Sequence, residues 1–259
     1  MKTIVLCCFS LLFALQARAQ VAIVNYMKVK PGNGSAFVSN EREWKKLHQK
    51  RVNDGKMLSW HLFGVMGSGT DSPYNYITVD IYSDMKSALQ GITEDELKKA
   101  FGDKYNDLMT KTSAARDIAH SDISNWQMGI TGTQPDKYLR VSKMKIKKNG
   151  YFEMEEKAYK PVHQAMVDMG KLNSWSVWGR PFWDDMSYDA VTVNGYVSAE
   201  QMAGSGYSDD VFSKATTGKK SGELMEMTNY FNTTSDYRDM VQSQLWEVID
   251  QTTPAPPKK

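Results

Sequence analysis

Hydrophobic and polar residues follow two different periods along this chain, and the same order of periods occurs twice. Period-two alternation and runs of aromatic and β-branched residues predict strands, whereas a 3.6-residue spacing predicts helices. The first half predicts strands over residues 21–30, 57–65 and 76–82 and around Trp126, and helices over residues 35–54, 94–99 and 103–115. The second half predicts the same order and ends in a strand near residues 245–249.

This order, β-α-β-β-α-β, is that of the ferredoxin-like unit, also called the split βαβ, and the predicted fold class is therefore α+β. Matching sequence blocks support two such units, because His48 and Trp60 recur in step as His163 and Trp175 at an offset of 115 residues. We interpret the chain as an internal duplication. The predicted boundaries are a first repeat over residues 20–130, a second over residues 138–250, a linker over residues 129–137 and a disordered Pro/Lys-rich tail over residues 251–259.

Two ferredoxin-like units in one chain resemble the dimeric α+β-barrel superfamily, with the dimer fused into a single polypeptide. That superfamily includes antibiotic-biosynthesis-type monooxygenases, haem-degrading proteins, muconolactone isomerases, rhamnose mutarotases and the NIPSNAP and EthD families. The resemblance extends over nearly all of the chain after residue 20 in element order, and no single member's catalytic set matches. It implies a barrel formed within one chain and a ligand cleft between sheet and helices in each half.

The first nineteen residues have the pattern of an export signal. Lys2 precedes an apolar run over residues 4–15, and residues 17–19 form a small-x-small cleavage site. We therefore predict an exported protein, periplasmic or extracellular, whose mature chain begins at Gln20. Both cysteines of the sequence lie inside the signal, so the mature chain is expected to have no thiol and no disulfide.

Charge and motif content exclude several classes of partner and cofactor. The sequence has 32 Lys and Arg against 30 Asp and Glu, and removal of Lys2 and Arg18 with the signal makes the two counts equal. Balanced charge gives no electrostatic reason for nucleic-acid binding, and no later apolar run reaches the roughly 20 residues of a membrane span. The sequence has no phosphate-binding or dinucleotide-binding glycine motif, no nucleophile elbow and no metal-binding histidine spacing. We therefore expect no nucleic-acid partner, no membrane span, no cofactor and no metal.

Polar residues interrupt the apolar face of the first helix in each repeat. Glu41, Trp44 and His48 share one stripe with Phe37, and in the second repeat the corresponding residues are Phe152, Glu156, Tyr159 and His163. A Glu and a His seven residues apart are separated by about 10.5 Å along a helix axis, with the aromatic residue between them. Such a gap suits a small ligand. The alternative interpretation is that each polar group is satisfied by a neighbouring strand or loop.

The first predicted strand provides one more candidate. Asn25 shares a face with Met27, so its amide is expected to point into the layer between sheet and helix. It is similar to a strand-one asparagine placed near substrate in cofactor-independent oxygenases of the superfamily. Its counterpart in the second repeat is Ser142, so at most one half has this feature. Pro161, inside the second repeat's first helix, predicts either a kink or the true start of a shorter helix.

Three interpretations of function follow from these patterns. The preferred one is an exported protein that binds a small molecule through residues Asn25, Glu41, Trp44, His48, Glu156, Tyr159 and His163. The second is a cofactor-independent oxygenase or isomerase that uses His48 or His163 as general base. The third is a structural protein whose clefts are filled by side chains. We prefer binding because no activated nucleophile is visible, and the association of several copies into a homo-oligomer stays open.

Overall fold

The computed structural model describes residues 20–182 and 187–254. The predicted export signal and residues 255–259 of the predicted tail lie outside the described residues. The described chain is mixed α and β, and its strands form one antiparallel sheet that closes into a barrel. No helix within this described part is long and apolar enough to cross a membrane.

Each half of the chain contributes four strands to the barrel. The elements of the first half are β1 (Val21–Val29), α1 (Gly34–Asn53), β2 (Ser59–Val65), β3 (Tyr76–Tyr82), α2 (Met85–Leu89), α3 (Glu94–Phe101), a 3-10 turn (Gly102–Lys104), α4 (Tyr105–Ala115) and β4 (Arg116–Ile130). Those of the second half are β5 (Tyr138–Ile146), α5 (Tyr151–Met154), a π-helical segment (Glu155–Tyr159), α6 (Lys160–Asp168), β6 (Ser174–Phe182), β7 (Ala190–Tyr196), α7 (Ala199–Ala203), α8 (Asp209–Thr216), α9 (Ser221–Asn232), α10 (Thr234–Tyr237) and β8 (Arg238–Gln251).

Two long strands join the halves and close the barrel. β4 pairs with β1 along its own half and with β6 of the other half. β8 does the same with β5 and β2. The resulting strand order around the barrel is β1-β3-β2-β8-β5-β7-β6-β4. Because every strand in this order has two neighbours, the barrel encloses an interior distinct from the layers under the helices.

Side chains of the strands alternate between those two environments. One face of each half packs under its helices, with Trp60 in the first layer and Trp175 in the second. The other face points into the barrel, where Tyr26, Phe63 and Trp246 belong to a third apolar cluster. The chain therefore has two helix-sheet layers and one barrel interior.

Several predicted boundaries differ from the structure. β4 and β8 begin at Arg116 and Arg238, well before the predicted strands, because their first residues form exposed edges without apolar alternation. The tail predicted to be disordered from residue 251 also starts too early. Gln251 belongs to β8, and the buried Thr252 hydroxyl accepts a hydrogen bond of 2.9 Å from the backbone amide of Trp60.

Candidate functional site

An apolar cavity of about 430 Å³ occupies one end of the barrel interior. Its walls come from the inward faces of the strands of both halves, and its mouth comes from the loop between β4 and β5. Inward valines of these strands, such as Val79 and Val193, are only half-buried although they belong to the barrel. The principal wall residues are Val24, Phe63, Val79, Val141, Val193, Trp246 and Val248. Valine at five of these seven positions leaves the space unfilled.

His61 is one of the polar residues in the cavity wall. His61 lies there with its Nδ1 atom 3.1 Å from Oε1 of Gln251 and its Nε2 atom 2.9 Å from Oγ of Ser59. Burial lowers the pKa of His61, against the effect of the Gln251 hydrogen bond. The imidazole is therefore neutral at pH 7 and can accept a proton.

The carboxylate of Asp136 is held at the mouth by three separate elements. Nδ2 of Asn173 and Oγ of Ser174 each donate a hydrogen bond of 2.7 Å to it. A Cβ atom on Gly195 of β7 would lie 2.2 Å from Oδ1 of Asp136, so glycine is required for this approach. Burial raises the pKa of Asp136, opposed by these two donors. The carboxylate is thus fixed in place by neutral partners.

Tyr26 separates this cavity from a polar cluster deeper in the barrel. The Nζ atom of Lys143 lies 4.5 Å from the ring centroid of Tyr26, 4.4 Å from that of Tyr188 and 5.5 Å from that of Tyr74. Cation–π contacts of this kind stabilise a buried ammonium group. Tyr26 and Lys143 occupy corresponding inward positions on β1 and β5, so a phenol in one half faces an amine in the other.

An ion pair completes the polar cluster. Asp122 accepts a hydrogen bond of 2.6 Å from Arg180, and both side chains are almost fully buried. The hydroxyl of Tyr188 donates to the same carboxylate. Burial raises the pKa of Tyr188, and the charge of Asp122 raises it further, so this phenol stays protonated at neutral pH. We interpret the cluster as a satisfied polar core that closes the inner end of the cavity.

The predicted helix stripe lies elsewhere, in the two helix-sheet layers. His48 of α1 stacks on Trp60 with ring centroids 5.4 Å apart, and His163 of α6 stacks on Trp175 at 4.7 Å. Burial lowers the pKa of each imidazole to about 4. Nδ1 of His163 lies 2.8 Å from the carbonyl oxygen of Tyr159. Both rings therefore pack against protein on the faces where the sequence predicted a ligand.

Glu41 is also buried in the first layer. Its Oε1 atom lies 3.6 Å from Nε of Arg116. Burial raises the pKa of Glu41 to about 7, opposed by Arg116. Asp80 of β3 lies nearby, and burial together with the charge of Glu41 raises its pKa to about 7. Oδ1 of Asp80 is 4.0 Å from Nδ1 of His48, so three titratable groups meet in this layer.

The predicted inward position of Glu156 is wrong, because the neighbouring Glu155 occupies it. Glu155 is buried with its Oε1 atom 3.2 Å from Nε of Arg238, the contact that Glu41 makes with Arg116. Glu156 is exposed and pairs with Lys160 at 2.7 Å. The π-helical segment adds one residue to the turn, which shifts the preceding residues by one position. Pro161 favours this wider turn because its ring would collide with a carbonyl of the preceding α-helical turn.

The remaining predicted residues bond to neighbouring elements. The indole of Trp44 donates to Thr112 at 3.0 Å, and the hydroxyl of Tyr159 lies 2.8 Å from Oγ1 of Thr234. The amide of Asn25 donates to Thr78 at 3.3 Å and accepts from Ser121 at 2.7 Å. All seven predicted residues lie in the part of the chain that the structure describes. None of them lines the cavity.

Sequence reasoning missed the cavity because it followed the helix-facing side of each strand. The barrel-facing side of the strands could have been identified from the sequence. Ala22 and Val24 alternate with the helix-facing residues of β1, and they recur as Leu139 and Val141 on β5. The combination of small inward residues with a barrel could have indicated a central space. Asp136 had no such signal, because it lies in a loop whose path only the folded chain defines.

Solved structures of similar fold cover nearly the whole chain. A candidate monooxygenase from Lactobacillus acidophilus aligns with a TM-score of 0.54 and 8% identity over 92% of this chain and 97% of that one. An anthrone oxidase-like protein aligns at 0.52 with 7% identity, covering 91% and 93%. A heme-binding protein from Thermus thermophilus aligns at 0.50 with 10% identity, covering 90% and 92%.

Similarity of fold over nearly the whole chain confirms the predicted α+β class. Identities this low support the fold alone. No protein-family model matches the sequence, and a search of curated protein sequences finds no match.

Proposed function

We propose that the chain is a fused pair of ferredoxin-like repeats that binds a small, largely apolar molecule inside its barrel. Support for the duplication comes from contacts that occur in both halves. His48 stacks on Trp60 as His163 does on Trp175, and a buried glutamate meets an arginine at the start of the last strand in each half. The proposal moves the binding site from the helix-sheet layers to the space between the halves.

The observation that carries the proposal is the barrel cavity itself. Ligand sites are typically concave, mostly apolar and supplied with a few fixed polar groups. The cavity has this character, since valines and tryptophans form its walls and His61 and Asp136 stand among its polar groups. A volume of about 430 Å³ suits a molecule of two or three fused or linked rings.

The export signal is part of the same proposal. An exported barrel with an apolar cavity would capture its ligand outside the cytoplasm. Sequencing the amino terminus of the protein isolated from its host tests this part, with Gln20 expected as the first residue. A chain that retains residues 1–19 would contradict export.

A neutral fluorescent dye tests the binding site. N-phenyl-1-naphthylamine is expected to bind saturably and to quench the tryptophans of the cavity wall. Val193→Phe places a ring inside the cavity and is expected to weaken dye binding about tenfold or more, because the ring occupies the ligand's volume. Dye titrations of both proteins, followed by emission, give the two dissociation constants.

The matched control is Val241→Phe, the same substitution at an exposed position of β8. It is expected to leave dye affinity unchanged, and thermal unfolding of both variants checks that each is folded. Equal dye affinity in the Val193→Phe variant and the parent protein would contradict the cavity as the site. Failure of the parent protein to bind the dye would favour the third interpretation, a structural barrel.

Haem, the group named for the Thermus neighbour, does not fit the buried histidines. An axial ligand needs a free ring nitrogen facing an open space. Nδ1 of His163 meets the carbonyl oxygen of Tyr159, its Nε2 lies 3.2 Å from the Tyr207 hydroxyl, and its ring stacks on Trp175. His61 is similarly engaged through both nitrogens. We therefore derive no chemistry from haem.

A second candidate function is a cofactor-independent oxygenase with His61 as base. It is favoured by the position of a neutral imidazole in the cavity wall, on a fold shared with a candidate monooxygenase. His61, with Nε2 exchanging its contact with Oγ of Ser59 for the ligand, would remove a proton from an acidic O–H or C–H group of a bound aromatic molecule. O2 would add to a carbon of the resulting anion as a hydroperoxide, and loss of water would leave one oxygen atom in the product as a carbonyl group. Here the base is His61, in place of the predicted His48 and His163.

Oxygen consumption with hydroquinone-type and anthrone-type compounds tests this candidate. If turnover occurs, His61→Gln is expected to reduce it at least about tenfold while dye affinity stays the same. Ser176→Ala is the control, because Ser176 holds the corresponding wall position in the other half. Turnover that survives in the His61→Gln variant would exclude His61 as base.

A further inference from the structure

We infer that the cavity selects a ligand with a cationic end, an amine on an apolar or aromatic body, and that Asp136 binds that end. The inference rests on the proposed function, because it names the class of molecule that the same cavity takes. It follows from the charge of the lining residues, the fixed position of one carboxylate and the aromatic rings that line the same cavity.

Charge on the cavity wall is of one sign. Among the lining residues that the structure describes, Asp136 is the one with a formal charge at neutral pH, since His61 is neutral there. The neighbouring Lys137 is exposed, and its Nζ atom lies 5.2 Å from the ring centroid of Tyr138. A single carboxylate at the mouth of an apolar cavity attracts a cation and repels an anion, and low dielectric strengthens both effects.

The carboxylate of Asp136 keeps its charge and can accept further hydrogen bonds. Its two hydrogen-bond donors, the amide of Asn173 and the hydroxyl of Ser174, are neutral and leave its charge in place. Asn173 is itself held by a bond of 2.8 Å to the carbonyl oxygen of Gln134. Each carboxylate oxygen can accept more than one hydrogen bond, so both retain acceptor capacity for an ammonium group.

Aromatic rings also line the cavity. Trp126 of β4 and Trp178 of β6 are cross-strand partners, and both contribute to the lining. Tryptophan faces attract cations, and their flat surfaces also pack against an aromatic body. Near the loop that carries Asp136 the wall is apolar, since the amide of Val248 donates a hydrogen bond of 2.9 Å to the carbonyl oxygen of Lys137 and Val141 also lines the cavity. A molecule with one amine and one apolar body matches a single carboxylate in an otherwise uncharged wall.

Three compounds that share one ring system test the inference on the unaltered mature chain. They are 2-(1-naphthyl)ethylamine, 2-(1-naphthyl)ethanol and 1-naphthaleneacetic acid. At pH 7.5 the first is a cation, the second is neutral and the third is a carboxylate anion. Displacement of N-phenyl-1-naphthylamine measures their affinities. The amine is expected to bind about tenfold more tightly than the alcohol because only the amine forms an ion pair with the carboxylate of Asp136. The anionic compound is expected to bind more weakly than the alcohol, because its charge has the same sign as that of Asp136.

Two variants test whether Asp136 causes the preference for the amine over the alcohol. Asp136→Asn removes the charge and keeps the size of the side chain, so the amine and the alcohol are expected to bind with equal affinity. Asp209→Asn makes the same charge change at an exposed site on α8, and the tenfold preference is expected to persist. A preference that survives in the Asp136→Asn variant would overturn the assignment of this residue.

The outcomes separate this inference from the proposed function. If the alcohol or the carboxylate displaces the dye as well as the amine does, the cavity binds ligands and the inference is wrong. If the dye does not bind and titration calorimetry detects no binding of any of the three compounds, the proposed function fails and the inference fails with it. The compound series uses the unaltered protein, so it decides the charge preference even if the Asp136→Asn variant does not fold.

Discussion

Replacing Glu155 by alanine should lower the free energy of unfolding at pH 6 by about 2 to 4 kcal/mol, whereas the same change at Glu156 should alter it by less than about 0.5 kcal/mol. Glu155 is buried against Arg238, so its loss leaves a cavity and removes the carboxyl group that faces a largely buried guanidinium. Glu156 is exposed, and its pair with Lys160 is a surface ion pair within one helix. Urea unfolding of the two variants and the parent protein measures both changes.

The neighbouring residues form a matched pair, because the substitution is identical and only the position relative to the π-helical segment differs. Alignment of the repeats by sequence alone predicts the reverse result, with Glu156 as the counterpart of Glu41. A larger loss of stability in the Glu156→Ala variant would therefore mean that the first helix of the second half continues without the extra residue.

Asp80→Asn should stabilise the protein relative to its parent as pH rises, by about 3 kcal/mol between pH 5 and pH 8. Burial, with the charge of Glu41, raises the pKa of Asp80 from its ordinary 3.8 to about 7. The folded chain thus keeps a proton that the unfolded chain has released, and stability contributed by this group is lost as pH rises toward 7. Asparagine does not titrate, so the variant avoids the loss.

His48 and His163 change the stability with pH in the opposite direction. The contribution of Asp80 therefore has to be measured as the difference between the Asp80→Asn variant and the parent protein. Burial lowers the pKa of His48 and His163 to about 4, so the unfolded chain binds their protons first and stability rises with pH between about 4 and 6.5. The parent protein's profile is a sum of both trends. The difference between Asp80→Asn and the parent, measured by urea unfolding at each pH, isolates the carboxylate.

Asp84→Asn is the control for this measurement. The backbone hydrogen bond from Ser87 lowers the pKa of Asp84, so this group titrates below pH 5 and its difference from the parent should stay constant between pH 5 and pH 8. A difference for Asp80→Asn that is equally flat would show that the buried carboxyl is ionised across the whole range.

Much of the local structure was predictable because it depends on neighbours in sequence. The predicted strand over residues 76–82 has the observed bounds, and α1 differs from its prediction by one residue at each end. The end of α1 is also determined locally, because Gly55 adopts a positive φ of 74° just after the helix. β4 was predicted less well, because its first half forms an exposed edge and lacks the alternation that marks a half-buried strand.

The candidate site shows where local reasoning ends. Glu41 and His48 share a helix face in the structure, as their spacing requires, yet spacing could not reveal that rings and strands cover that face. Glu155 takes the inward position predicted for Glu156 because one π-helical turn near Pro161 adds a residue. A sequence comparison without insertions cannot detect this turn. Residues far apart in sequence form the cavity, so no window of sequence contains it.

The sequence by itself determined which elements form, their order, the α+β class and the inward face of α1, because periodicity and turn chemistry act over a few residues. Only the tertiary structure decided which face of the sheet holds open space. Closure through β4 and β8 turns one face of every strand toward a common interior, where small residues from both halves leave a cavity. The same closure brings the loop residue Asp136 against Gly195, which lies 59 positions away, because that contact depends on how strands pair rather than on any local preference.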